Sequence, residues 1–132
     1  MVTISSRVHR IPASEAVGLD DNDYQVLDTD TETTVSTVTA TPGPTSRAWV
    51  CYGVLGLHAG DRGTYTARLK FDSTTLETRA SLTGNIHVVA GFQSGPSAEA
   101  HTLTLTVERT IDEGAFALQS AVGFREVSAL AP

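Results

Sequence analysis

The sequence predicts an all-β protein, an antiparallel β-sandwich preceded by an extended N-terminal arm. Apolar and polar residues alternate with a period of two along most of the chain, which is typical of half-buried strands. Clusters of Gly, Pro, Asp and Asn separate these stretches at the short intervals found in sandwiches and barrels. No segment carries a sustained helical repeat of apolar positions. Together these observations predict about nine short strands.

The clearest predicted strand is His101–Glu108, where leucine or valine alternates with threonine without a slip. One face should therefore belong to the core, and the other should carry Thr102, Thr104 and Thr106. This threonine row is flat and largely uncharged, so an identical neighbour could cover it at low desolvation cost. We expect Thr104→Arg to leave the monomer folded but to weaken an oligomer built on this face.

The remaining strands follow from the same alternation and from the turns between them. Arg47–Leu57 is a nearly unbroken apolar run, which predicts a central strand covered on both faces. Gly53 and Gly56 within it indicate a bulge or a close backbone approach. Most aromatic residues, including Trp49 and Phe92, fall on positions expected to face the core. The other predicted strands are Tyr24–Asp28, Thr33–Ala40, Thr64–Phe71, Leu76–Leu82, Ile86–Phe92, Phe116–Val122 and Phe124–Leu130.

The N-terminal part is predicted to be an arm. Residues 2–11 alternate loosely and end at Pro12, which favours an edge strand or an arm lying on a neighbour. Residues 12–23 are expected to be an Asp-rich loop. The predicted division is an arm and acidic loop over residues 1–23 and a sandwich domain over residues 24–132.

Composition excludes several functions. A chain of 132 residues is the size of one domain. Its net charge of −6, without a basic patch, argues against nucleic-acid binding. Neither a signal peptide nor an apolar stretch of about 20 residues is present, so we expect no membrane contact and synthesis in a host cytoplasm. Cys51 is the sole cysteine, which rules out an internal disulfide, and its apolar surroundings predict a buried, inert thiol.

No catalytic or cofactor motif is recognisable, and we expect neither enzymatic activity nor a cofactor. An acidic cluster could supply oxygen ligands to Ca²⁺, but it lacks the spacing of an EF-hand and is better interpreted as a solvated loop. Ser94 and Ser97 lie near Glu99 without the Gly-x-Ser-x-Gly pattern of a nucleophile elbow. The acidic cluster comprises Asp20, Asp21, Asn22, Asp23, Asp28, Asp30 and Glu32.

The histidines have no metal-binding spacing. His87 and His101 are expected on adjacent strands, on the face opposite the core, where two ligands alone would not make a zinc site. His9 and His58 complete the set. Surface histidines, or an inter-subunit contact, are the remaining interpretations.

From Ala48 onward the chain resembles a TNF/C1q-type jelly roll. The residues that carry the resemblance are the apolar strand Trp49–Leu57, the segment Gly63–Leu69, the strand His101–Glu108 and the closing segment Gly123–Leu130. Domains of this shape recur in tailed viruses (bacteriophages) as trimeric capsid decoration proteins and as heads of fibres. The resemblance thus implies a jelly roll that works as a homotrimer in a virion.

We therefore expect a structural virion protein, used for capsid decoration (cement) or as a spike or fibre component. Its partners would be itself and other virion proteins, such as the major capsid protein. The alternative is a carbohydrate- or receptor-binding module that uses the loops Gln93–Glu99 and His58–Gly63. The predicted oligomer contact consists of Val2, Ile4, Val8, Ile11, His87, His101, Thr102, Thr104 and Thr106.

Overall fold

Eight antiparallel strands form two four-stranded sheets in the computed structural model, which describes residues 19–27, 31–43, 46–57, 63–110 and 116–128. The all-β prediction is confirmed. Among the described ranges there is no helix with the length and apolarity needed to cross a membrane. The strands are β1 (Leu19–Leu27), β2 (Thr33–Ala40), β3 (Ser46–Leu57), β4 (Tyr65–Phe71), β5 (Thr74–Leu82), β6 (Ile86–Ser94), β7 (His101–Arg109) and β8 (Phe116–Ser128).

The strand order is that of a jelly roll. Sheet A has the order β1-β8-β3-β6 and sheet B has the order β2-β7-β4-β5. The chain crosses between the sheets at every connection except the β4–β5 turn. The last strand returns between β1 and β3, so the two ends of the described chain pair in one sheet. Two interlocked Greek keys of this kind are the jelly-roll arrangement.

The core lies between the two sheets and follows the predicted alternation. In β4 every second residue from Tyr65 to Phe71 is buried, while the residues between them are half-buried on the outside. Gly53 of β3 lets the sheets approach, because a Cβ there would lie 3.0 Å from a methyl group of Leu105. Gly56 has only ordinary contacts. The close-approach prediction thus holds for Gly53.

Strand β2 is predicted correctly, and a bulge explains its uneven pattern. Val35 is buried and Val38 is half-buried, although they are three positions apart and a regular strand would point them to opposite faces. A register shift between Thr34 and Ser36 moves the inward positions by one residue. The buried Ser36 then reaches Ser120 of β8 across the sandwich, with 2.8 Å between the two hydroxyl oxygens.

Two predicted boundaries are wrong. The last strand is continuous over Phe116–Ser128, because Gly123 pairs with Tyr52 and Leu19 and the ladder runs on without a break. At the other end, β1 begins at Leu19, so Asp20, Asp21 and Asn22 pair with β8 and are not a loop, and Asp23 lies in a register shift within the same strand. The predicted strand ends at Asp28 and Leu130 lie outside the described residues.

The largest correction concerns β6. Its apolar residues Ile86, Val88 and Phe92 alternate as expected, but they point away from the core, where 50–72% of each side chain is exposed. Val89 is buried in their place. A period of two identifies the apolar side of a strand but not the side that the sandwich covers. In the same way, β3 is covered on one face only, with Trp49, Cys51 and Leu55 buried and Val50 outside.

Candidate functional site

The outer face of sheet A is apolar. Five large apolar side chains stand out as exposed among the described residues, and all five project from this one face. The face runs across β6, β3 and β8. Half-buried Tyr52, Val54 and Ala121 and exposed Ala90 extend it. The five are Val50, Ile86, Val88, Phe92 and Val127, and together with these four they are called the apolar face below.

Strand register makes the apolar face continuous. Val50 lies opposite Phe92, Tyr52 opposite Ala90, and Val54 opposite Val88 in the β3–β6 ladder. On its other side β3 pairs with β8, where Ala121 lies opposite Val54. Directly opposed side chains in an antiparallel pair are about 5 Å apart, so these rows form one surface. Arg125, opposite Val50, adds a positive charge within this surface, because it lies between Gly123 and Val127 on the outer side of β8.

The free edge of β6 is closed by side chains from β5 in the other sheet. Glu77 accepts a hydrogen bond from the backbone N–H of Ala90 at 2.7 Å, and Arg79 donates one to the carbonyl of Val88 at 2.8 Å. Leu76 sits against Gly91, where a Cβ would lie 2.9 Å from the Leu76 Cβ. These contacts take up two polar groups of the edge and place β5 side chains over it, which opposes the addition of a further strand there. The apolar face is thus open to contact face-on, not edge-on.

The outer face of sheet B is polar. Thr39 and Thr102 share a hydrogen bond of 2.9 Å across β2 and β7, as the predicted threonine row requires. Beside this row, Glu32 meets the Lys70 ammonium at 2.8 Å and the Arg68 guanidinium at 3.5 Å. The hydrogen bonds from Lys70 and Thr106 lower the pKa of Glu32, and they outweigh the opposing effect of burial. The threonine row is therefore flanked by the charged side chains of Glu32, Arg68 and Lys70.

The predicted positions of the two histidines are wrong. His87 lies in sheet A and His101 in sheet B, so they are not on adjacent strands. His101 has the same parity as Leu103 and is buried on the core side of β7. His87 is half-buried on the inward side of β6, and its Nε2 lies 2.7 Å from the Thr83 carbonyl. Counting from the leucines of β7 would have placed His101 correctly.

His101 is held by acceptors on both ring nitrogens. Its Nδ1 lies 2.7 Å from an Asp72 carboxylate oxygen, and its Nε2 lies 2.8 Å from the Ser97 carbonyl. The Ser97 hydroxyl is farther from Nε2, at 3.2 Å, and it donates to Glu99 at 3.0 Å. Ser97, His101 and Asp72 are therefore arranged in the order of a hydrolytic triad. In the doubly protonated ring that these acceptors favour, no lone pair is present to take the serine proton.

The aromatic rings of the core gather beside His101. Trp49 stacks on Phe124 with 4.0 Å between ring centroids and meets Phe71 edge-on at 5.4 Å. The predicted burial of Trp49 is confirmed, since none of its surface is exposed. Its Nε1 donates to Glu126 at 3.2 Å. Phe92 faces outward, contrary to the prediction.

Of the remaining residues considered in the sequence, some lie within the described ranges and others lie outside them. Cys51 is buried, as predicted, and desolvation raises the pKa of its thiol to about 12. No group of three or more potential metal ligands lies together in the described ranges. Asp28, Asp30, His9, His58 and the four apolar residues expected in the arm (Val2, Ile4, Val8 and Ile11) lie outside the described residues.

No protein-family model and no curated protein sequence matches this chain. Several solved structures resemble its fold. The C-terminal domain of EclA, a sugar-binding protein, has a TM-score of 0.56 at 8% identity, with 77% of each chain covered. The insecticidal delta-endotoxin Cry8Ea1 of Bacillus thuringiensis has a TM-score of 0.54 at 9% identity over 80% of this chain, which spans 20% of the toxin chain. Rabbit GITRL, a TNF-like protein, has a TM-score of 0.42 at 11% identity, with 78% and 80% covered.

These likenesses concern the fold. The two matches with TM-scores of 0.56 and 0.54 agree with the sandwich fold that the two sheets and their strand order define. Identities of 8% and 9% transfer neither a ligand nor an activity.

Proposed function

We propose that this chain is a structural component of a virus particle that works as a homo-oligomer, with the apolar face as its subunit contact. The observation that carries the proposal is the clustering of exposed Val50, Ile86, Val88, Phe92 and Val127 on one face of sheet A. Scattered apolar residues are ordinary on a protein surface, whereas a contiguous apolar sheet face indicates a contact. The capsid decoration or fibre role and the homotrimer belong to this proposal.

The occupant of the apolar face is a second copy of this chain. Strands rise about 3.3 Å per residue and lie about 4.8 Å apart, so a face about three strands wide and about seven residues long covers roughly 300 Å² in projection. A stable contact buries about 800 Å² per partner, in which an apolar centre is surrounded by a polar rim. The face therefore has the size of an interface centre.

The sequence pattern supports the same occupant. Strand β3 carries apolar residues on both of its faces, which is typical of a strand covered on both sides, and β6 adds Ile86, Val88 and Phe92 to the outward side. One sandwich covers only the inner side. Copies that meet through this face would cover the outer side of these strands. The charged residues of sheet B would not meet in that contact, since they lie on the opposite surface of the sandwich.

Light scattering coupled to size-exclusion chromatography tests this proposal. The wild-type chain is expected to elute as an oligomer, and Phe92→Lys is expected to elute as a folded monomer, because a buried unpaired ammonium opposes assembly. Thr104→Arg, on the outer face of sheet B, is the matched control and should remain oligomeric. A monomeric wild-type chain at high micromolar concentration would remove the proposal. Oligomers that Thr104→Arg breaks and Phe92→Lys does not would move the contact to the threonine row.

A carbohydrate-binding module is the second candidate. The exposed ring of Phe92 next to Tyr52 is the observation that favours it, because aromatic faces stack on sugar rings. EclA, whose C-terminal domain has a similar fold, is a sugar-binding protein. A glycan array separates the candidates. Binding by a monomer that Phe92→Ala abolishes would favour this role, and an oligomer that binds no glycan would favour assembly.

A further inference from the structure

His101 connects two chain segments that are far apart in sequence. It opens β7 at the end of the β6–β7 loop, and its ring touches both that loop and the β4–β5 turn. Its Nδ1 lies 2.7 Å from Asp72 of the turn, and its Nε2 lies 2.8 Å from the carbonyl of Ser97 in the loop. A carboxylate and a carbonyl can only accept hydrogen bonds, so both nitrogens must carry a proton. The arrangement therefore requires the charged imidazolium.

The two hydrogen-bond partners of the ring are anchored in different ways. Asp72 is fixed independently, because its carboxylate accepts from the Thr102 N–H at 2.9 Å and its own N–H donates to the Thr102 carbonyl at 2.7 Å. Its backbone also sits in the left-handed region, with φ of 53°. The loop side is held by the Ser97 carbonyl on the ring and by the Gly95 N–H, which donates to Arg47 at 2.7 Å.

The charges around His101 come from several elements. Asp72 lies on the turn and Glu99 on the loop, where Glu99 reaches the ring through the Ser97 hydroxyl. Glu126 of β8 lies beyond the Trp49 indole. Burial lowers the pKa of His101, but the hydrogen bonds to Asp72 and Ser97 and the charges of Asp72 and Glu99 outweigh it, so the pKa is raised. The pKa of Asp72 is lowered: burial opposes this, and the Thr102 and His101 hydrogen bonds prevail.

We propose that His101 is a proton-operated latch that fastens the β6–β7 loop to the β4–β5 turn and releases the loop when the ring loses a proton. The neutral ring keeps its Nδ1 proton, because Asp72 stays negative and retains that hydrogen bond. Its Nε2 lone pair then faces the Ser97 carbonyl oxygen across 2.8 Å, and two acceptors at that distance repel. The loop is the side that moves, since Asp72 is anchored to Thr102.

The direction of the pH dependence follows from the sign of the shift. A histidine with a raised folded-state pKa adds stability that is fully present below its unfolded value of about 6.5 and is lost as the pH rises through the folded value. Asp72 acts in the opposite sense, because its contribution disappears as the pH falls through its own lowered pKa. The latch is therefore closed in mildly acidic solution and opens as the pH rises through the raised pKa of His101.

Tryptophan fluorescence and hydrogen exchange test the latch in the intact protein. Trp49 is the sole tryptophan, and its ring centroid lies 5.8 Å from that of His101, so its emission reports the charge of the imidazole. The wild-type emission is expected to titrate with a midpoint above about 6.5. Amide protection in the loop, corrected for intrinsic exchange, should fall about five-fold over the same transition. A change of this size is expected when one hydrogen bond of about 1 kcal/mol is lost.

Three variants separate the latch from general effects of pH. Asp72→Asn is expected to move the midpoint to lower pH, because the ring loses its anionic partner. His101→Gln should abolish the transition, and His87→Gln, the matched control, should keep it. Nitrogen chemical shifts of the wild-type His101 ring at pH 6 should show both nitrogens protonated, a readout that needs no variant to fold. Emission and loop protection that stay constant from pH 5 to pH 9, or a neutral ring at pH 6, would overturn the proposal.

Discussion

Val50 of β3 and Phe92 of β6 lie directly opposite each other in the ladder of sheet A, and both side chains point away from the core. The adjacent inward residues, Trp49 and Cys51, are fully buried. This part of the chain is thus apolar on both sides while one sandwich covers a single side. If copies associate through the apolar face, as proposed, the outward side of this Val50–Phe92 pair would be covered in the assembly.

Thermal stability should depend on protein concentration. If copies associate through the apolar face, a tenfold increase in concentration adds up to about 1.4 kcal/mol to stability, which corresponds to a rise of several degrees in Tm. Phe92→Lys should give a lower Tm that is independent of concentration, and Thr104→Arg should behave like the wild type. Calorimetry over a hundredfold range of concentration measures this. A constant wild-type Tm would contradict it.

Gly91→Ala should destabilise the fold by about 1–3 kcal/mol, the range for overpacked sites. The added Cβ would lie 2.9 Å from the Cβ of Leu76, which is not a flexible side-chain end and cannot move without its backbone. Gly56→Ala is the matched control, since its Cβ would have nothing nearer than 3.9 Å. Urea denaturation should show a loss for Gly91→Ala only. Equal urea midpoints for the two variants would show that β5 and β6 can move apart to accommodate the added Cβ without a loss of stability.

The Cys51 thiol should not react with a disulfide reagent at pH 8 while the protein is folded. Burial raises the pKa of Cys51 to about 12, which leaves very little thiolate, and the sulfur has no exposed surface. In guanidinium the same thiol should react completely within minutes, which provides the internal control. Rapid labelling of the native protein would indicate that β3 opens locally.

Acid should weaken the protein partly through Glu32. Its pKa is lowered by Lys70 and Thr106, so its contribution is present above its unfolded value and is lost as the pH falls through the folded one. Glu32→Gln should therefore reduce the loss of stability between about pH 5 and pH 3, by less than about 1 kcal/mol for a solvent-screened pair. Glu108→Gln, which leaves the Lys70–Glu32 pair in place, is the matched control. Identical acid profiles for the wild type and Glu32→Gln would assign the effect elsewhere.

Sequence periodicity predicted the strands well where one side was clearly apolar. Strand β4 agrees at every residue from Tyr65 to Phe71. It failed at β6, because Val89 and the small Gly91 face the core while larger apolar residues face outward. The alternation along one strand does not show how closely the two sheets pack. In this sandwich the side of β6 with the smaller residues faces the core.

The candidate sites could be predicted only in part. The apolar residues of β3 and β6 were visible in the sequence, but their common outward face depends on strand order, which no local signal gives. The alternation of β7 puts His101 on the same side as Leu103, so its place in the core could be predicted from the sequence. Its contact with Asp72 could not be predicted, since the two residues are 29 positions apart and the β4–β7 pairing brings them together.

The hydrogen bonds from Glu77 and Arg79 to β6 have a consequence for the geometry of assembly. Strand-to-strand addition at an open edge repeats without limit and produces ribbons or fibrils. With the edge of β6 closed, growth in that direction stops, while the neighbouring face remains available. If copies associate through the face, as proposed, their contacts can close around a rotation axis, whereas strand addition at this edge of β6 would not extend the assembly.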